Sequence, residues 1–354
     1  MTSGIIINLI LNKKDSIYKE YNLNEIVNLS KTLKINCKVK ENIKINKFSS
    51  STLISSGKLL EIKEIVSSKN IDLLVLNYPL SPSQQKNLEN YLNIKVIDRT
   101  GLIIEIFGDR ALTSEGKLQV ELANLTYRKS RLVRAWTHLE RQRGGQSFIG
   151  GPGELQIELD RRLIQERINS LKKDLKKIIK RRDNQRSNRK KNINTSYALV
   201  GYTNSGKSTL FNKLTKKNEY AKDELFATLD TKISKLFLPS KKATIIDTVG
   251  FISNIPTQLI DAFKATLEEV NESDILINVV DINDMNFRDK IRTTKKTLLS
   301  TGVSEDKVKN MITVFNKIDT FGDRKFKNTK SRIYLSALNG VGVEEFRDIL
   351  SSSY

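Results

Sequence analysis

Cysteine and histidine are almost absent from this chain of 354 residues, which has one of each, Cys37 and His138. A single cysteine excludes a disulfide within the chain and a cysteine-based metal cluster, and one histidine leaves no ligand set for a structural zinc ion. No apolar run reaches the roughly 18 residues that a membrane span needs, and residues 4–10 follow no basic leader. We therefore expect a cytoplasmic protein in a reducing compartment, without stable membrane insertion.

Positive charge is abundant and unevenly placed. The net charge is +21, of which residues 197–354 carry +4 and residues 1–196 carry +17. Within the latter part, residues 161–191 alone carry +11. A general bias toward lysine would spread this charge along the chain. The concentration favours a polyanionic partner, nucleic acid first and an anionic membrane second, over a merely solvated lysine-rich surface.

The first hundred residues alternate buried strands with helices. Residues 4–10, 73–76 and 94–97 have the pattern of strands and residues 59–66 that of a helix, which predicts a small parallel α/β domain. Ser56-Gly57-Lys58 is similar to part of a phosphate loop. However, Thr52 stands where the first glycine is needed and Leu59 where a hydroxyl is needed, so we expect no nucleotide site there.

Two seams of heptad spacing follow, joined by a glycine-rich connection over residues 143–153. They predict an antiparallel helical hairpin. The seams are Leu118, Leu122, Leu125, Lys129, Leu132, Trp136 and Leu139, then Ile157, Ile164, Ile168, Leu171, Leu175 and Ile178. Trp136 is expected in the core, and His138 has no catalytic partner pattern. The connection is either a flexible linker or a binding loop, since glycine permits close approach to another surface.

A nucleotide motif follows the apolar strand at residues 197–200. It matches G-x-x-x-x-G-K-[ST], whose backbone N–H groups cradle phosphates while the lysine contacts the β and γ phosphates and the next hydroxyl binds Mg²⁺. The predicted GTP-binding residues here are Gly201, Tyr202, Thr203, Asn204, Ser205, Gly206, Lys207, Ser208 and Thr209, with Lys207 and Ser208 in the two named roles.

Two further segments are expected around the phosphates and the metal. After the strand at residues 243–246, an acidic residue can hold Mg²⁺ through water and a glycine N–H can contact the γ-phosphate. These residues are Asp247, Thr248, Val249 and Gly250. The earlier segment is Phe226, Ala227, Thr228, Leu229 and Asp230, of which Thr228 is the expected second metal ligand, with Thr231 as the alternative.

The base is selected by residues after two later strands. Asp319 can accept both the N1–H and the exocyclic amine of guanine, a donor pair that adenine lacks, so the site is expected to prefer GTP and GDP over ATP. Lys317 would lie along the base and Asn316 would connect this loop to the phosphate loop. The predicted pocket consists of Asn316, Lys317, Ile318 and Asp319, followed by Ser336, Ala337 and Leu338.

Phe251 follows Gly250, where many GTPases have a glutamine that orients the attacking water. A phenyl ring can neither donate nor accept a hydrogen bond for that water. No catalytic residue is therefore assigned, and intrinsic GTP hydrolysis is expected to be slow and stimulated by a partner.

Over roughly residues 96–345 the sequence resembles the HflX family of ribosome-associated translational GTPases. The resemblance is carried by residues 96–103, 115–122, 141–145, 151–154, 160–162, 226–230, 247–252, 256 and 262–268. It implies that the hairpin and its loop contact ribosomal RNA of the large ribosomal subunit near the peptidyl-transferase region. The protein would then act on stalled or idle ribosomes, in splitting, rescue or assembly. Thr231 departs from the proline frequent in the family, and a further C-terminal domain of longer members is expected to be absent after Tyr354.

These patterns predict an α/β chain in four parts, expected to be a monomer. The parts are an N-terminal parallel α/β subdomain (1–110), a helical hairpin with its glycine-rich connection (111–182), a polar linker or frayed helix end (183–196) and a P-loop GTPase domain (197–354). Two alternatives stay open. One is an RNA- or membrane-binding regulatory switch that does not act on ribosomes, and the other is an ATP-using RNA remodeller, which Asp319 disfavours.

Overall fold

The computed structural model describes residues 2–46, 48–135, 152–190, 195–216, 225–226, 228–239, 242–252, 264–322 and 326–353. Trp136, His138, Ala227, most of the glycine-rich connection and residues 191–194 of the expected linker lie outside these ranges. The chain divides into two compact units. Unit 1 comprises Met1–Asp109 and Val120–Lys173, and unit 2 comprises Arg110–Gln119 and Asp174–Tyr354.

Unit 1 contains a parallel sheet, as the sequence predicts. Its described strands have the order β2-β1-β3-β4, and helices lie between them. The strands are β1 (Ser3–Ile10), β2 (Asn36–Lys44), β3 (Leu73–Leu76) and β4 (Lys95–Asp98). The helices are α1 (Lys13–Ile17), α2 (Lys19–Thr32), α3 (Ser56–Ser68), α4 (Pro82–Leu92) and α5 (Arg99–Arg110). Strands β1 and β3 are buried throughout and, apart from Ser3 and Asn8, have no polar side chain, because they are covered on both faces.

Two long helices form the hairpin, α6 (Ser114–Ala135) and α7 (Pro152–Lys190). Within unit 1, Arg167 donates two hydrogen bonds to Glu121, at 2.7 and 3.0 Å, and Lys129 contacts Gln165. The later residue of α6, Lys129, contacts the earlier residue of α7, Gln165, so the two helices are antiparallel. Ile168 and Leu171 of the second predicted seam are buried. Of the expected linker (183–196), the described residues up to Lys190 are helical, and Thr195 and Ser196 begin a strand.

Asp98, at the end of β4, anchors α6 within unit 1. Its buried carboxylate accepts hydrogen bonds from Tyr127 at 2.7 Å and Gly101 at 2.8 Å, and it pairs with Arg131 at 2.7 Å. Burial, together with the charge of Asp98, raises the pKa of Tyr127 above its ordinary value of 10.0. The phenol therefore stays a donor to the carboxylate.

Unit 2 contains a mixed sheet of strand order β10-β9-β8-β5-β7-β6, in which β6 runs antiparallel to β7 and the other pairs are parallel. Its strands are β5 (Thr195–Val200), β6 (Lys232–Phe237), β7 (Lys242–Asp247), β8 (Ile275–Asp281), β9 (Ile312–Asn316) and β10 (Arg332–Tyr334). Besides the start of α6 and the end of α7, its described helices are α8 (Lys207–Thr215), α9 (Lys264–Glu272), α10 (Phe287–Ser300), α11 (Glu305–Lys309), α12 (Val343–Ser353) and the 3₁₀ turn Ile318–Phe321.

The predicted motifs follow the carboxyl ends of parallel strands in unit 2, the edge at which α/β sheets bind ligands. The phosphate loop follows β5, Asp247 ends β7, and Asn316 ends β9. Among the described residues, no helix combines the length and apolar character needed to cross a membrane.

Candidate nucleotide-binding site

The phosphate loop turns between β5 and α8 in the order strand, loop, helix. Gly206 has a φ of +91°, and a Cβ at this position would lie 2.1 Å from Asn316 Nδ2, so only glycine fits. The hydroxyls of Thr203 and Ser205 are buried and have no hydrogen-bond partner among the described residues. Buried donors of this kind suit a polar ligand, because leaving them unpaired is costly.

Lys207 begins α8 and is buried. Its Nζ donates to the carbonyl oxygens of Tyr202 at 2.8 Å and Gly201 at 3.2 Å. Burial lowers the pKa of this lysine to about 8, while the charge of Asp247 opposes the shift. A bound phosphate would favour the charged ammonium, since an opposite charge nearby stabilises the ionised form. The N-terminus of α8 adds backbone N–H groups, which favour anions.

Three oxygen atoms meet where magnesium is expected. Ser208 Oγ lies 2.7 Å from Thr228 Oγ1 and 2.7 Å from Asp247 Oδ2, and Thr228 Oγ1 lies 3.1 Å from the same carboxylate oxygen. Asp247 Oδ1 is buried and has no partner among the described residues. Burial raises the pKa of Asp247, opposed by the bond from Ser208 and by Lys207. Hydroxyl and carboxylate oxygens are the ligands that Mg²⁺ prefers, so these residues fit the metal.

Phe251 is attached to the phosphate loop by its backbone. Its N–H donates to Gly201 O at 3.0 Å, and its carbonyl accepts from Thr203 N at 2.8 Å. Its side chain is only 2% exposed and packs in an apolar cluster with residues that include Ala198 and Val200. The ring therefore belongs to the core of unit 2.

Asn316 connects the base loop to the phosphate loop, as expected. Its Nδ2 donates to Ser205 O at 2.9 Å, and its Oδ1 accepts from Ala337 N at 2.9 Å. Ser336 Oγ donates to Asp319 Oδ1 at 2.5 Å, which orients that carboxylate. Leu338, in contrast, is 69% exposed. The two segments predicted to recognise guanine thus meet each other and the phosphate loop.

Four further residues of the predicted site contact other parts of unit 2 or are buried. Thr248 Oγ1 donates to Leu199 O at 2.6 Å and so ties its segment to β5. Phe226 and Leu229 are buried. The carboxylate of Asp230 accepts hydrogen bonds from Leu112 N and Thr113 N, so the interactions recorded for it are made with the start of α6.

Two site residues were missed from the sequence. Asp281, at the end of β8, pairs with Lys317 Nζ at 2.7 Å, and Asn283 Nδ2 donates to Lys317 O at 3.1 Å. Both residues support the lysine expected along the base. Their position just after a buried strand, at the edge where the other motifs lie, was the signal available in the sequence.

A strand–loop–helix phosphate loop, an Asp–Ser–Thr oxygen cluster and an Asn-x-x-Asp base loop on one sheet edge define a P-loop GTPase. Models of three protein families match the chain. They are described as GTP-binding GTPase N-terminal (residues 20–108), GTP-binding GTPase Middle Region (110–189) and 50S ribosome-binding GTPase (196–317).

Whole-chain similarities agree with these models. The GTPase HflX of Magnetococcus marinus is 46% identical over 327 residues, covering 91% of this chain and 75% of that protein. The GTPase HflX of Escherichia coli is 42% identical over 305 residues, covering 84% of this chain and 71% of that protein. A crystal structure described as a complex of SsGBP with GDP is 25% identical, covers 99% of this chain and 97% of that one, and has a TM-score of 0.51.

The chain belongs to the GTPase HflX family, which confirms the resemblance carried by its motifs. It is a GTP-binding enzyme that hydrolyses GTP to GDP and phosphate.

Proposed function

We propose that this GTPase binds the large ribosomal subunit through ribosomal RNA and acts on stalled or idle ribosomes, in splitting, rescue or assembly. One matching family model is described as a 50S ribosome-binding GTPase. The chain would work in the cytoplasm as a monomer, in the four parts that the sequence predicts, with the hairpin and its connection as the RNA-binding part.

The charge of α7 supports an RNA partner. Lys172, Lys173 and Lys176 are exposed, whereas Ile168 and Leu171 are buried, so the helix presents a basic face to solvent. Neutralising RNA phosphates with lysines releases counterions, which makes such binding strong and dependent on salt.

The observation that carries the proposal is the burial of Phe251. Because its ring packs in the core, no side chain at this position orients the attacking water. Intrinsic hydrolysis is therefore slow, and the partner that binds the basic helix supplies or orders the missing group.

The contacts support the following roles within the site. Lys207 and the phosphate-loop backbone bind the β and γ phosphates, while Ser208 and Thr228 coordinate Mg²⁺ and Asp247 holds it, directly or through water. When bound, the metal neutralises charge that develops on the phosphates. Asp319 selects guanine, and Gly250 N–H contacts the γ-phosphate.

Sedimentation with purified ribosomal subunits tests the proposal. With a non-hydrolysable GTP analogue, we expect the chain to sediment with large subunits at low and moderate salt. Changing Lys172, Lys173 and Lys176 to Gln should weaken binding and flatten its salt dependence. The matched control changes the exposed Lys235, Lys295 and Lys296 to Gln, with the same loss of charge. Absence from every ribosomal fraction would contradict the proposal. Binding to protein-free RNA but to no ribosomal fraction would favour the alternative of an RNA-binding regulatory switch.

A further inference from the structure

Asp230 joins the segment that carries Thr228 to residues distant in the sequence. Its Oδ2 accepts the backbone N–H groups of Leu112 at 3.1 Å and Thr113 at 3.0 Å, and its Oδ1 accepts the hydroxyl of Thr113. All of these residues belong to unit 2. One carboxylate thus attaches this segment to the chain just before α6.

Thr113 also serves as the N-cap of α6. Its Oγ1 accepts a hydrogen bond from Gly116 N at 2.9 Å, and its carbonyl accepts one from Lys117 N at 3.0 Å. A hydroxyl donates one hydrogen bond and can still accept another, so Thr113 satisfies the helix and Asp230 together. Negative charge at a helix N-terminus is itself favourable.

Gly116 makes room for this contact. A Cβ at this position would lie 2.4 Å from Asp230 Oδ1 and 3.2 Å from Thr113 Oγ1. Glycine is less favourable than alanine in a helix. The close approach of the carboxylate explains why this helix has glycine in its first turn.

The other end of the segment lies at the metal site. Thr228, two residues before Asp230, contacts both Ser208 and Asp247 through its hydroxyl. Two short anchors therefore flank Leu229, which is buried. A segment held at both ends has little freedom to move its threonine away from the metal site.

We propose that Asp230 is a positioning residue for Thr228, and that bound magnesium–GTP strengthens the contact of Asp230 with Leu112 and Thr113. The inference rests on the proposed role of Thr228 in binding magnesium. Coupling between sites is reciprocal, so Asp230 raises GTP affinity by the same factor by which GTP stabilises the contact. GDP lacks the γ-phosphate that orders this kind of segment, so its affinity does not depend on Asp230.

Nucleotide affinities of the full chain test the coupling. Asp230→Ala should weaken binding of the β,γ-imido analogue of GTP by about tenfold, within the usual range of coupling between sites, and leave GDP affinity unchanged. Gly116→Ala should also weaken binding of the analogue and leave GDP affinity unchanged, because the alanine Cβ displaces the carboxylate of Asp230. It should do so although alanine favours helix formation. Gly108→Ala in α5 is the matched control, since its Cβ would meet no atom closer than 3.9 Å.

Hydrogen exchange at the amides of Leu112 and Thr113 supplies a readout besides affinity. Protection should rise with magnesium and the imido analogue, stay unchanged with GDP, and be lost in Asp230→Ala. Equal protection with both nucleotides, or equal loss of GDP and analogue affinity in Asp230→Ala, would overturn the inference.

Thr228→Ala separates the inference from its premise. If it leaves analogue affinity unchanged, the metal role of Thr228 is wrong and the positioning role falls with it. If Thr228→Ala weakens binding of the analogue while Asp230→Ala and Gly116→Ala bind it with wild-type affinity, only the positioning role of Asp230 is overturned. Neither result bears on ribosome binding.

Discussion

Asn316 donates a hydrogen bond from Nδ2 to the carbonyl oxygen of Ser205 at 2.9 Å, across 111 residues of sequence. This bond joins the loop that we propose selects the base to the phosphate loop. Both parts of the nucleotide site therefore depend on one buried amide, which also accepts from Ala337 N.

Asn316→Ala should weaken the binding of GDP and of GTP to the same extent. The change leaves Ser205 O and Ala337 N without this partner, and each lost hydrogen bond costs about 0.5–1.5 kcal/mol. We expect an affinity loss of about tenfold or more, measured by titration with a fluorescent nucleotide. The control is Asn339→Ala, an exposed asparagine near the same loop, which should bind as wild type. Unchanged affinity in Asn316→Ala would show that the two loops are positioned independently.

Asp319→Asn should exchange guanine for xanthine specificity. The amide cannot accept from both guanine donors, and hydrogen bonds to charged groups contribute about 1.5–3 kcal/mol each, so GTP affinity should fall by about 10²-fold or more. The new NH₂ group matches the C2 oxygen of xanthine. Competition between GDP and xanthosine diphosphate measures the exchange. Ser336→Ala, which removes the bond to Asp319, should weaken guanine binding without admitting xanthine.

Phe251→Gln should destabilise the chain and fail to accelerate hydrolysis. Removing a buried phenylalanine side chain costs about 3–5 kcal/mol, and an unpaired buried amide adds to that cost. Phe251→Leu, which stays apolar, should lose less stability. Denaturant unfolding and single-turnover hydrolysis test both statements. A glutamine variant as stable as wild type and faster in hydrolysis would show that this position faces the phosphates.

Asp72 should make the stability of unit 1 depend on pH in the acidic range. Its carboxylate accepts from Ser3 N at 2.9 Å and Ser3 Oγ at 2.8 Å, and these bonds lower the pKa of Asp72 below its ordinary 3.8. The folded state thus binds fewer protons than the unfolded chain near that pH. The stabilisation is present above pH 3.8 and lost as the pH falls through the folded value. The difference in Tm between wild type and Asp72→Asn should narrow on acidification, and a constant difference would contradict this.

The sequence predicted most strands of the two sheets, though not β2, β6 or β8, and the nucleotide motifs, because buried parallel strands have continuous apolar runs and the motifs follow their ends. Strand β2 was missed because most of its residues are polar and, at the edge of the sheet, only Ile43 of this strand is buried. The interactions of Asp230 could not be foreseen, since its partner Thr113 lies 117 residues away. The burial of Phe251 was also hidden, because it depends on a backbone bridge to the phosphate loop.

GTP turnover with and without purified large ribosomal subunits tests the central claim most directly. We propose that the buried Phe251 cannot orient the attacking water, so the chain alone should hydrolyse GTP slowly. Large subunits should raise turnover by at least about tenfold, equivalent to 1.36 kcal/mol off the barrier, while small subunits should not. Equal turnover with and without large subunits would contradict the account.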